Sequence, residues 1–298
     1  MNVPPELETL RDYLRFAVSR FNHAGLAFGH GFANAYDEAA YLLLHALHLP
    51  NDRLEPFLDA RLAASERAEL ATLLERRVDD RVPVAYLTHE AWLGDFRFYV
   101  DERVVIPRSF IAEVLHEGLA PYLPEPASVR SALDLCTGSG CLAVLLAHAY
   151  PEADIDAVDL SADALAVAQR NVSDYGLAGR INLIRSDLLD NVPTKSYDLI
   201  ISNPPYVTAV AMEELPAEYR HEPALALAGG DDGLDAVHTI LRKAPQFMER
   251  DGVLVVEIGH NRAAVEAAYP RMPFVWLATA SSEASVFLLR RDEIVAGR

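Results

Sequence analysis

The chain has 298 residues, of which 51% are hydrophobic, and its formal net charge is −18. A chain of this length and composition can bury a substantial core, and its length predicts two domains. The strong negative charge argues against direct binding of nucleic acid, because phosphate groups are recognised by basic surfaces.

The sequence lacks the marks of a membrane or secreted protein. It has no apolar run long enough to span a bilayer, and its polar start is broken by Pro4 and Pro5 instead of forming a signal peptide. The only cysteines, Cys136 and Cys141, are interpreted as small core residues and not as a disulfide framework. No spacing of Cys or His indicates zinc, so no metal site is predicted. We expect a cytoplasmic protein without a membrane partner.

Residues 1–85 predict a small helical domain. Apolar residues recur on one face of its first amphipathic segment, namely at Leu7, Leu10, Leu14, Val18 and Phe21. Residues 37–49 and 65–78 repeat the amphipathic pattern, and Pro50 and Pro56 separate the segments.

Residues 86–125 predict a linker. The alternating run at residues 96–100 favours a β-strand, and we expect a hairpin around Asp101 and Glu102. The proline-rich stretch at residues 121–126 marks the end of the linker.

The remaining residues, 126–298, predict an α/β domain, because short apolar strands alternate with helices. The predicted strands are residues 131–136, 153–160, 181–185, 197–202 and 252–259. The predicted helices are residues 141–149, 161–175 and 234–248. Two closing strands, residues 274–279 and 284–290, are expected to form an antiparallel pair at the sheet edge.

A glycine-containing loop joins the first of these strands to its helix. It consists of Cys136, Thr137, Gly138, Ser139 and Gly140. Glycines in such a loop let the backbone approach a ligand where a Cβ would clash. The third glycine of a dinucleotide-binding fingerprint is absent, which disfavours that class of site. Asp134, just before the loop, is placed to suit a cationic or amine-bearing ligand.

Four successive predicted strands end in polar side chains: Asp134, Asp159, Asp187 and Asn203. The carboxyl ends of parallel strands share one edge of a sheet, where open α/β sheets bind their ligands. Asp159 lies near the spacing from the glycine loop at which a second-strand acid meets ribose hydroxyls. A single such residue is an ordinary solvated loop position, but four at this spacing predict a binding edge.

The tetrapeptide Asn203, Pro204, Pro205 and Tyr206 follows the fourth strand. The prolines fix φ and cannot donate to a strand ladder, so Asn203 is presented on a stiff, non-helical turn. The Asn203 side-chain oxygen and nearby carbonyls could accept hydrogen bonds from a planar NH2 group, and the Tyr206 ring could lie against it. Such a turn can hold an amide or amino nitrogen. The alternative interpretation is a proline-terminated strand with a surface tyrosine.

In this order, the segments LDLCTGSG, AVDLS, RSDLL and ISNPPY resemble the class I S-adenosylmethionine-dependent methyltransferases, which have a Rossmann-like sheet. NPPY resembles the catalytic motif of the members that methylate amino groups. Within this class the chain is similar to the HemK-type glutamine methyltransferases, which modify a glutamine side-chain amide in translation proteins. Residues 82–87, 92–100 and 105–109 match the linker of that family.

The linker also indicates a branch of the family. After Pro107 and Arg108, the release-factor branch has an acidic run, whereas this chain has residues 109–113, SFIAE. That segment is similar to the branch that modifies large-subunit ribosomal protein number three. One departure is Cys136, where the family often has Gly; the change matters only if the position requires a positive φ.

The resemblance implies S-adenosylmethionine as cofactor and assigns roles by position. Asp159 would bind the ribose hydroxyls, and Asp187 and Leu188 would border the adenine. The cofactor-binding set is Asp134, Cys136, Thr137, Gly138, Ser139, Gly140, Asp159, Asp187, Leu188 and Asn203. The catalytic residues are Asn203, Pro204 and Tyr206. The substrate-binding residues are these three with Pro205 and Arg108, and residues 1–85 would recognise the substrate protein.

Alternatives remain at this point. A release factor is the alternative substrate. A DNA adenine methyltransferase would use the same motif on an exocyclic amine, but the sequence lacks basic stretches and a separate recognition domain. A non-catalytic ribosome assembly factor is disfavoured by the intact Asn203 motif. The favoured partner is a basic ribosomal protein, which an acidic chain attracts.

Overall fold

The computed structural model describes residues 3–123, 125–280, 282 and 284–297. Positions 1, 2, 124, 281, 283 and 298, which fall within the predicted domain ranges, lie outside the described residues. The chain divides into two compact units. One comprises the described residues up to Ala91 together with Val100–Glu102 and Leu215–His221; the other comprises Trp92–Tyr99, Arg103–Glu214 and the described residues from Glu222 onward.

The first unit is helical. Its helices are α1 (Leu10–His23), α2 (Ala35–Ala46), α3 (Ala64–Val78) and α4 (Val84–Thr88). α1 begins with a capping box, in which the Thr9 hydroxyl accepts the Asp12 amide and the Asp12 carboxylate accepts the Thr9 amide. Leu10, Leu14 and Phe21 are buried on one face of α1, as their spacing predicts.

A buried ion cluster ties residues 215–221 into this first unit. The Arg77 guanidinium, 1% exposed, lies 2.6 Å from Glu38 and 3.3 Å from Glu218, which are each 2% exposed. Burial raises the pKa of Glu38, and the Arg77 charge opposes that shift. Removing one member of such a cluster leaves a buried charge unpaired, which costs about 3–5 kcal/mol.

The predicted hairpin is present, but its turn is not at Asp101 and Glu102. Strands β1 (Glu90–Leu93) and β2 (Phe96–Tyr99) form a two-stranded sheet. Gly94 and Asp95 join them, and Gly94 has a φ of 59°, the positive value that two-residue hairpin turns require. The alternating run in the sequence is therefore the second strand of the hairpin and not the first.

The second unit contains an α/β sheet, which confirms the predicted fold class. Its strands are β3 (Ser131–Leu135), β4 (Asp154–Asp159), β5 (Ile181–Arg185), β6 (Tyr197–Ser202), β7 (Met248–Glu257), β8 (Val275–Leu277) and β9 (Val286–Arg290). The strand order is β5-β4-β3-β6-β7-β9-β8. The first five strands of this order, β5, β4, β3, β6 and β7, pair in parallel. Strand β9 pairs antiparallel with both β7 and β8. The closing antiparallel pair is thus confirmed at one edge.

Helices cover both faces of this sheet. They are α5 (Ile111–Glu117), α6 (Cys141–Ala149), α7 (Ala162–Asp174), α9 (Asp235–Lys243), α10 (Arg262–Ala268) and α11 (Arg291–Gly297). The short helix α8 (Ala209–Glu214) follows the Asn203 turn and has no buried residue. Successive strand residues belong to opposite cores: Ala132 packs with α5 and α6, whereas Leu133 packs with α9 and α10. This alternation explains why the central strands read as continuous apolar runs.

The order of strands places the candidate site. β3 lies between β4 on one side and β6 on the other. From β3 the chain first adds β4 and β5 on one side of the sheet and then crosses to add β6 and β7 on the other side. Ligands of open α/β sheets bind at the carboxyl ends of strands beside such a switch point. The carboxyl ends of β3, β4 and β6 are therefore the part of the fold to consider for function.

No helix within the described part of the chain is both long and apolar enough to cross a membrane.

Candidate active site

The structure brings the four predicted strand ends to neighbouring positions. Along the sheet they occur in the order Asp187 after β5, Asp159 at the end of β4, Asp134 near the end of β3 and Asn203 after β6. β3 and β6 are in register, with Leu135 opposite Ser202. The predicted binding edge is therefore one continuous row of polar groups.

A backbone hydrogen bond fixes the glycine loop against the neighbouring strand β4. The Thr137 amide donates to the Val158 carbonyl at 2.9 Å, which ties the loop to the end of β4. Gly138 has a φ of 55°, and a Cβ built there would meet nothing within 4 Å. Gly140 has a φ of 79°, and its Cβ would lie 3.1 Å from that of Ala168. The loop thus leaves open space at Gly138, where the backbone can approach a ligand.

Cys136 occupies a left-handed backbone conformation, with a φ of 62°. A residue with a Cβ is strained in this region, whereas glycine is not. The departure from the family's glycine at this position therefore carries an energetic cost, contrary to what the small size of cysteine alone suggests.

Asp134 lies inside the sheet domain with no exposed surface. Its Oδ2 accepts the Thr137 hydroxyl at 2.6 Å, and its Oδ1 has no hydrogen-bond partner among the described residues. Burial raises the pKa of Asp134 to about 7, although the Thr137 hydrogen bond opposes the shift. A buried acid with an unpartnered oxygen favours a nearby positive charge, which would stabilise its ionised form.

Asp159 is fixed at the end of β4 by two amides. Its Oδ2 accepts the Gly138 amide and its Oδ1 accepts the Ser161 amide, both at 2.9 Å. Burial raises the pKa of Asp159, and these hydrogen bonds oppose the shift. Each carboxylate oxygen keeps acceptor capacity, so the side chain can accept two further donors in a fixed geometry.

Asp187 and Leu188 follow β5 at the far end of the row. Asp187 is exposed, whereas Leu188 is half-buried and packs against the apolar core behind the sheet. Leu188 also has a positive φ of 46°. The pair offers one polar and one apolar side chain at the rim of the edge.

The Asn203 turn is anchored on both sides. Before it, the Ser202 hydroxyl donates to the Leu135 carbonyl at 3.0 Å. After it, the Val207 amide donates to the Leu227 carbonyl and the Gly229 amide to the Val207 carbonyl, both at 2.8 Å. Pro204 is buried, whereas Asn203 is half-buried, and its side-chain amide bonds to no other described residue. The turn is stiff, and it leaves the Asn203 side chain unengaged among the described residues.

Tyr206 is packed by glycines. A Cβ at Gly259 would lie 2.6 Å from the ring of Tyr206, and one at Gly229 would lie 2.8 Å from its Cα. Its carbonyl accepts the Asn261 side chain at 2.7 Å. Burial raises the pKa of Tyr206, and the charge of Glu257 raises it further. The phenol therefore stays protonated across the physiological range.

Arg108 is engaged inside the protein. Its guanidinium makes a bidentate ion pair with Glu222, in which Nη2 lies 2.6 Å from Oε2 and Nη1 contacts Oε1. Glu222 also accepts the Ile106 amide at 3.0 Å. The structure thus places this predicted substrate residue in a contact that shapes the linker, and its charge acts on Tyr206.

Sequence reasoning missed Glu257. It is the last residue of β7, next to β6, and has no exposed surface. Burial raises its pKa to about 7. Its carboxylate accepts the Ser109 hydroxyl at 2.6 Å and the Phe110 amide at 2.9 Å. The available signal was a single acid inside the otherwise apolar strand predicted at residues 252–259.

Comparison with known proteins identifies the family. Residues 116–218 match the model described as "Methyltransferase small domain", and residues 12–88 match the "PrmC N-terminal domain". A protein of Neisseria meningitidis serogroup A, named "Ribosomal protein uL3 glutamine methyltransferase", is 60% identical over 97% of this chain and 95% of its own length. The chain belongs to this glutamine methyltransferase family.

Other relatives of the same name extend the match. The Bordetella pertussis protein is 57% identical over 97% of both chains, and the Bradyrhizobium diazoefficiens protein is 50% identical over 97% of this chain and 92% of its own. Among solved structures, the hMettl16 catalytic domain in complex with MAT2A 3'UTR hairpin 1 has a TM-score of 0.50 at 15% identity and covers 80% of this chain and 84% of that one. This last likeness concerns the fold alone.

Proposed function

We propose that this chain transfers a methyl group from S-adenosylmethionine to the side-chain amide nitrogen of a glutamine in ribosomal protein uL3. The observation that carries the proposal is the 50% to 60% identity to uL3 glutamine methyltransferases over 97% of the chain. The unengaged Asn203 side chain at the switch point of the sheet supplies the matching chemistry.

The residues at the β3 and β4 ends fit the cofactor. S-adenosylmethionine supplies an electrophilic methyl group on a cationic sulfur. Gly138 leaves space for close backbone approach, and Asp159 has acceptor capacity for two ribose hydroxyls. The unpartnered Oδ1 of Asp134 favours a positive charge nearby, and Leu188 offers an apolar contact for a base. We assign Asp187, at the rim, to the same end of the cofactor.

The Asn203 turn binds and orients the acceptor amide. An amide nitrogen is a poor nucleophile, because its lone pair is delocalised into the carbonyl. In our proposal the Asn203 side-chain oxygen and the Pro204 carbonyl accept both N–H groups of the glutamine, while Tyr206 packs against the amide plane and Pro205 stiffens the turn. Holding the nitrogen in a reactive geometry can contribute on the order of 7–11 kcal/mol. The proton leaves after transfer, so no dedicated base is assigned.

The same acceptors distinguish glutamine from glutamate. A glutamate carboxylate has no N–H to donate and would face the Asn203 and Pro204 oxygens with its own negative charge. Sites built to accept substrate hydrogens discriminate strongly against analogues that lack them, because their polar groups are left unpaired. This discrimination requires only the unengaged acceptors that the turn presents.

We assign substrate selection to residues 1–110. The glycine loop and the Asn203 turn resemble those of many methyltransferases, whereas the linker segment after Arg108 resembles one substrate branch. Replacing residues 1–110 with those of a release-factor-modifying relative should redirect methylation from uL3 to the release factor. If the chimera still methylates uL3 and ignores the release factor, selection lies in the sheet domain instead.

The direct test uses purified components. The chain is incubated with S-adenosylmethionine and recombinant uL3, and peptides of uL3 are searched by mass spectrometry for one added methyl group on a glutamine. We expect one modified glutamine in uL3, none in a release factor, and none after that glutamine is replaced by glutamate. Methylation of the release factor alone, or of DNA alone, would contradict the proposal.

A further inference from the structure

A buried carboxyl group adjoins the Asn203 turn. Glu257 ends β7, the strand that pairs in parallel with β6, and Val256 before it lies opposite Ser202. Its Oε2 accepts two hydrogen bonds, from Ser109 and from the Phe110 amide. Its Oε1 is buried and has no hydrogen-bond partner within the described part of the chain. Leaving a buried carboxylate oxygen unpartnered is costly, so this oxygen calls for a functional explanation.

The Tyr206 hydroxyl is the group that this oxygen can accept. Glu257 acts on Tyr206 through its negative charge, which raises the pKa of the phenol beyond the effect of burial. A phenol that keeps its proton is a hydrogen-bond donor. Glu257 therefore offers an unpartnered acceptor and Tyr206 a protonated donor, and Gly259, two residues after Glu257, lies against the Tyr206 ring.

Residues that follow β7 hold the rest of Tyr206. Gly259 lies against the ring, where a Cβ would approach Cε2 to 2.6 Å and Cζ to 3.1 Å. Asn261 donates to the Tyr206 carbonyl at 2.7 Å. Glu257, Gly259 and Asn261 alternate along one short segment, in which Gly259 lies against the ring of Tyr206 and Asn261 donates to its backbone. Such convergence is what a precisely oriented ring requires.

We propose that Glu257 is a positioning residue for methyl transfer: its buried carboxylate accepts the Tyr206 hydroxyl and holds the Tyr206 ring in the orientation that packs against the acceptor amide. Through Ser109 and Phe110 the same carboxylate joins this ring to the segment that carries Arg108. The inference rests on the proposed function, because it assigns Tyr206 a partner in binding the glutamine.

The ionisation of Glu257 gives this role a pH dependence. The charged or titratable groups that act on Glu257 and Tyr206 are Arg108, which favours the carboxylate, and Glu222, which is paired with Arg108. Burial raises the pKa of Glu257 to about 7. Below that pH a proton occupies the carboxyl group and removes one acceptor, so the methyl-transfer rate should fall as the pH drops through neutrality.

A double-mutant cycle tests whether Glu257 acts through Tyr206. We expect Glu257→Gln and Tyr206→Phe each to lower kcat about tenfold, the effect of one lost hydrogen bond, with S-adenosylmethionine affinity by calorimetry unchanged. The double variant should be no slower than the slower single variant. Glu249→Gln, an exposed acid on the same strand, is the matched control and should be unaffected. Multiplicative losses, or an unchanged kcat in Glu257→Gln, would overturn the proposal.

A second readout needs neither activity nor a substitution at Glu257. In protein labelled with 13C at the hydroxyl-bearing carbon of tyrosine, the Tyr206 signal is identified by its absence from Tyr206→Phe. We expect this signal to shift across the neutral range as Glu257 ionises. A signal that stays constant would overturn the proposed contact. A wild-type protein that shows the shift but does not methylate uL3 would contradict the proposed function and leave the contact standing.

Discussion

The glycine loop and the Asn203 turn follow neighbouring strands, but different kinds of contact hold them. At the loop, the bonds join residues of the consecutive β3 and β4 units: Thr137 and Asp134 are three positions apart, and Gly138 and Asp159 are 21 apart. At the turn, Tyr206 is bonded to Asn261, which is 55 positions away. One region is assembled from consecutive βα units, and the other depends on segments brought together by the complete sheet.

The difference matches the separate functions proposed for the two regions, cofactor binding and orientation of the acceptor. The loop region presents open space and fixed acceptors, which suits binding of a cofactor that many enzymes share. The turn region presents one unengaged amide and one tightly packed ring, which suits the orientation of a particular acceptor. Substitutions at Asn203, Asp159, Asp134 and Cys136, with matched controls, test the two regions, from the largest expected effect to the smallest.

Asn203→Ala should abolish methyl transfer while S-adenosylmethionine affinity stays within roughly tenfold of wild type. The substitution removes contacts made to the acceptor amide, so it affects the transition state more than the cofactor complex. Single-turnover kinetics and calorimetry on the same preparation measure the two quantities. Equal loss of affinity and rate would make Asn203 a structural or cofactor residue.

Asp159→Ala should weaken S-adenosylmethionine binding by a few-fold to about a hundredfold, the scale of one or two hydrogen bonds to a charged group. The Gly138 amide would also lose its acceptor, which loosens the loop. Asp154→Ala, an exposed acid at the opposite end of the same strand, is the control and should bind normally. Unaltered affinity in Asp159→Ala would remove this residue from the site.

Asp134 predicts a specific pH dependence of folding stability. Its pKa is raised to about 7 by burial, so the folded state binds the proton more tightly than the unfolded state. The stabilisation is complete below the ordinary carboxyl range and is lost as the pH rises toward 7, at up to about 1.4 kcal/mol per pH unit. Urea denaturation across this range should show the slope in wild type and less of it in Asp134→Asn.

Asp156 is a control, because its pKa shift should change folding stability with pH in the opposite direction. Burial alone would raise the pKa of Asp156, but hydrogen bonds from Lys195 and Tyr197 outweigh burial and lower it. Its contribution is present above the ordinary carboxyl range and is lost as the pH falls. If the free energy of unfolding changed with pH in the same way in Asp134→Asn and Asp156→Asn, the pKa directions assigned to both acids would be contradicted.

We expect the smallest effect, a change in the free energy of unfolding, from substitutions of Cys136. Because its φ is positive, Cys136→Val should lower the free energy of unfolding by about 1–2 kcal/mol, since a β-branched side chain is most strained there. Cys136→Gly should be within about 1 kcal/mol of wild type, because relief of strain offsets the lost side chain. Chemical denaturation measures both. A more stable valine variant would show that the left-handed conformation is not retained.

The loop edge was predictable because its signals are local. Asp134, the glycines and Asp159 occupy fixed positions around two strand–helix junctions, and the fold class follows from the same alternation. What the sequence did not reveal is that Asp134 has no exposed surface and supports Thr137, because burial depends on neighbouring strands. The positive φ of Cys136 is likewise a property of the folded turn.

The turn edge was predictable only in part. Asn203 and Tyr206 stand out as a motif, but the partners of Tyr206 come from segments whose register the sequence does not specify. Arg108 matched a linker pattern, and its ion pair with Glu222 depends on a contact 114 positions apart. The true hairpin turn has a local signal, because Gly94 supplies the positive φ that a two-residue turn requires, whereas Asp101 and Glu102 carry no glycine.

The most direct test of the proposed function is made on ribosomes. Protein uL3 is isolated from cells lacking this chain, and its glutamine methylation is measured by mass spectrometry before and after the gene is restored. We predict that the methyl group is absent in the deletion strain, returns with the wild-type chain and does not return with Asn203→Ala. Full methylation of uL3 in the deletion strain would contradict the assignment.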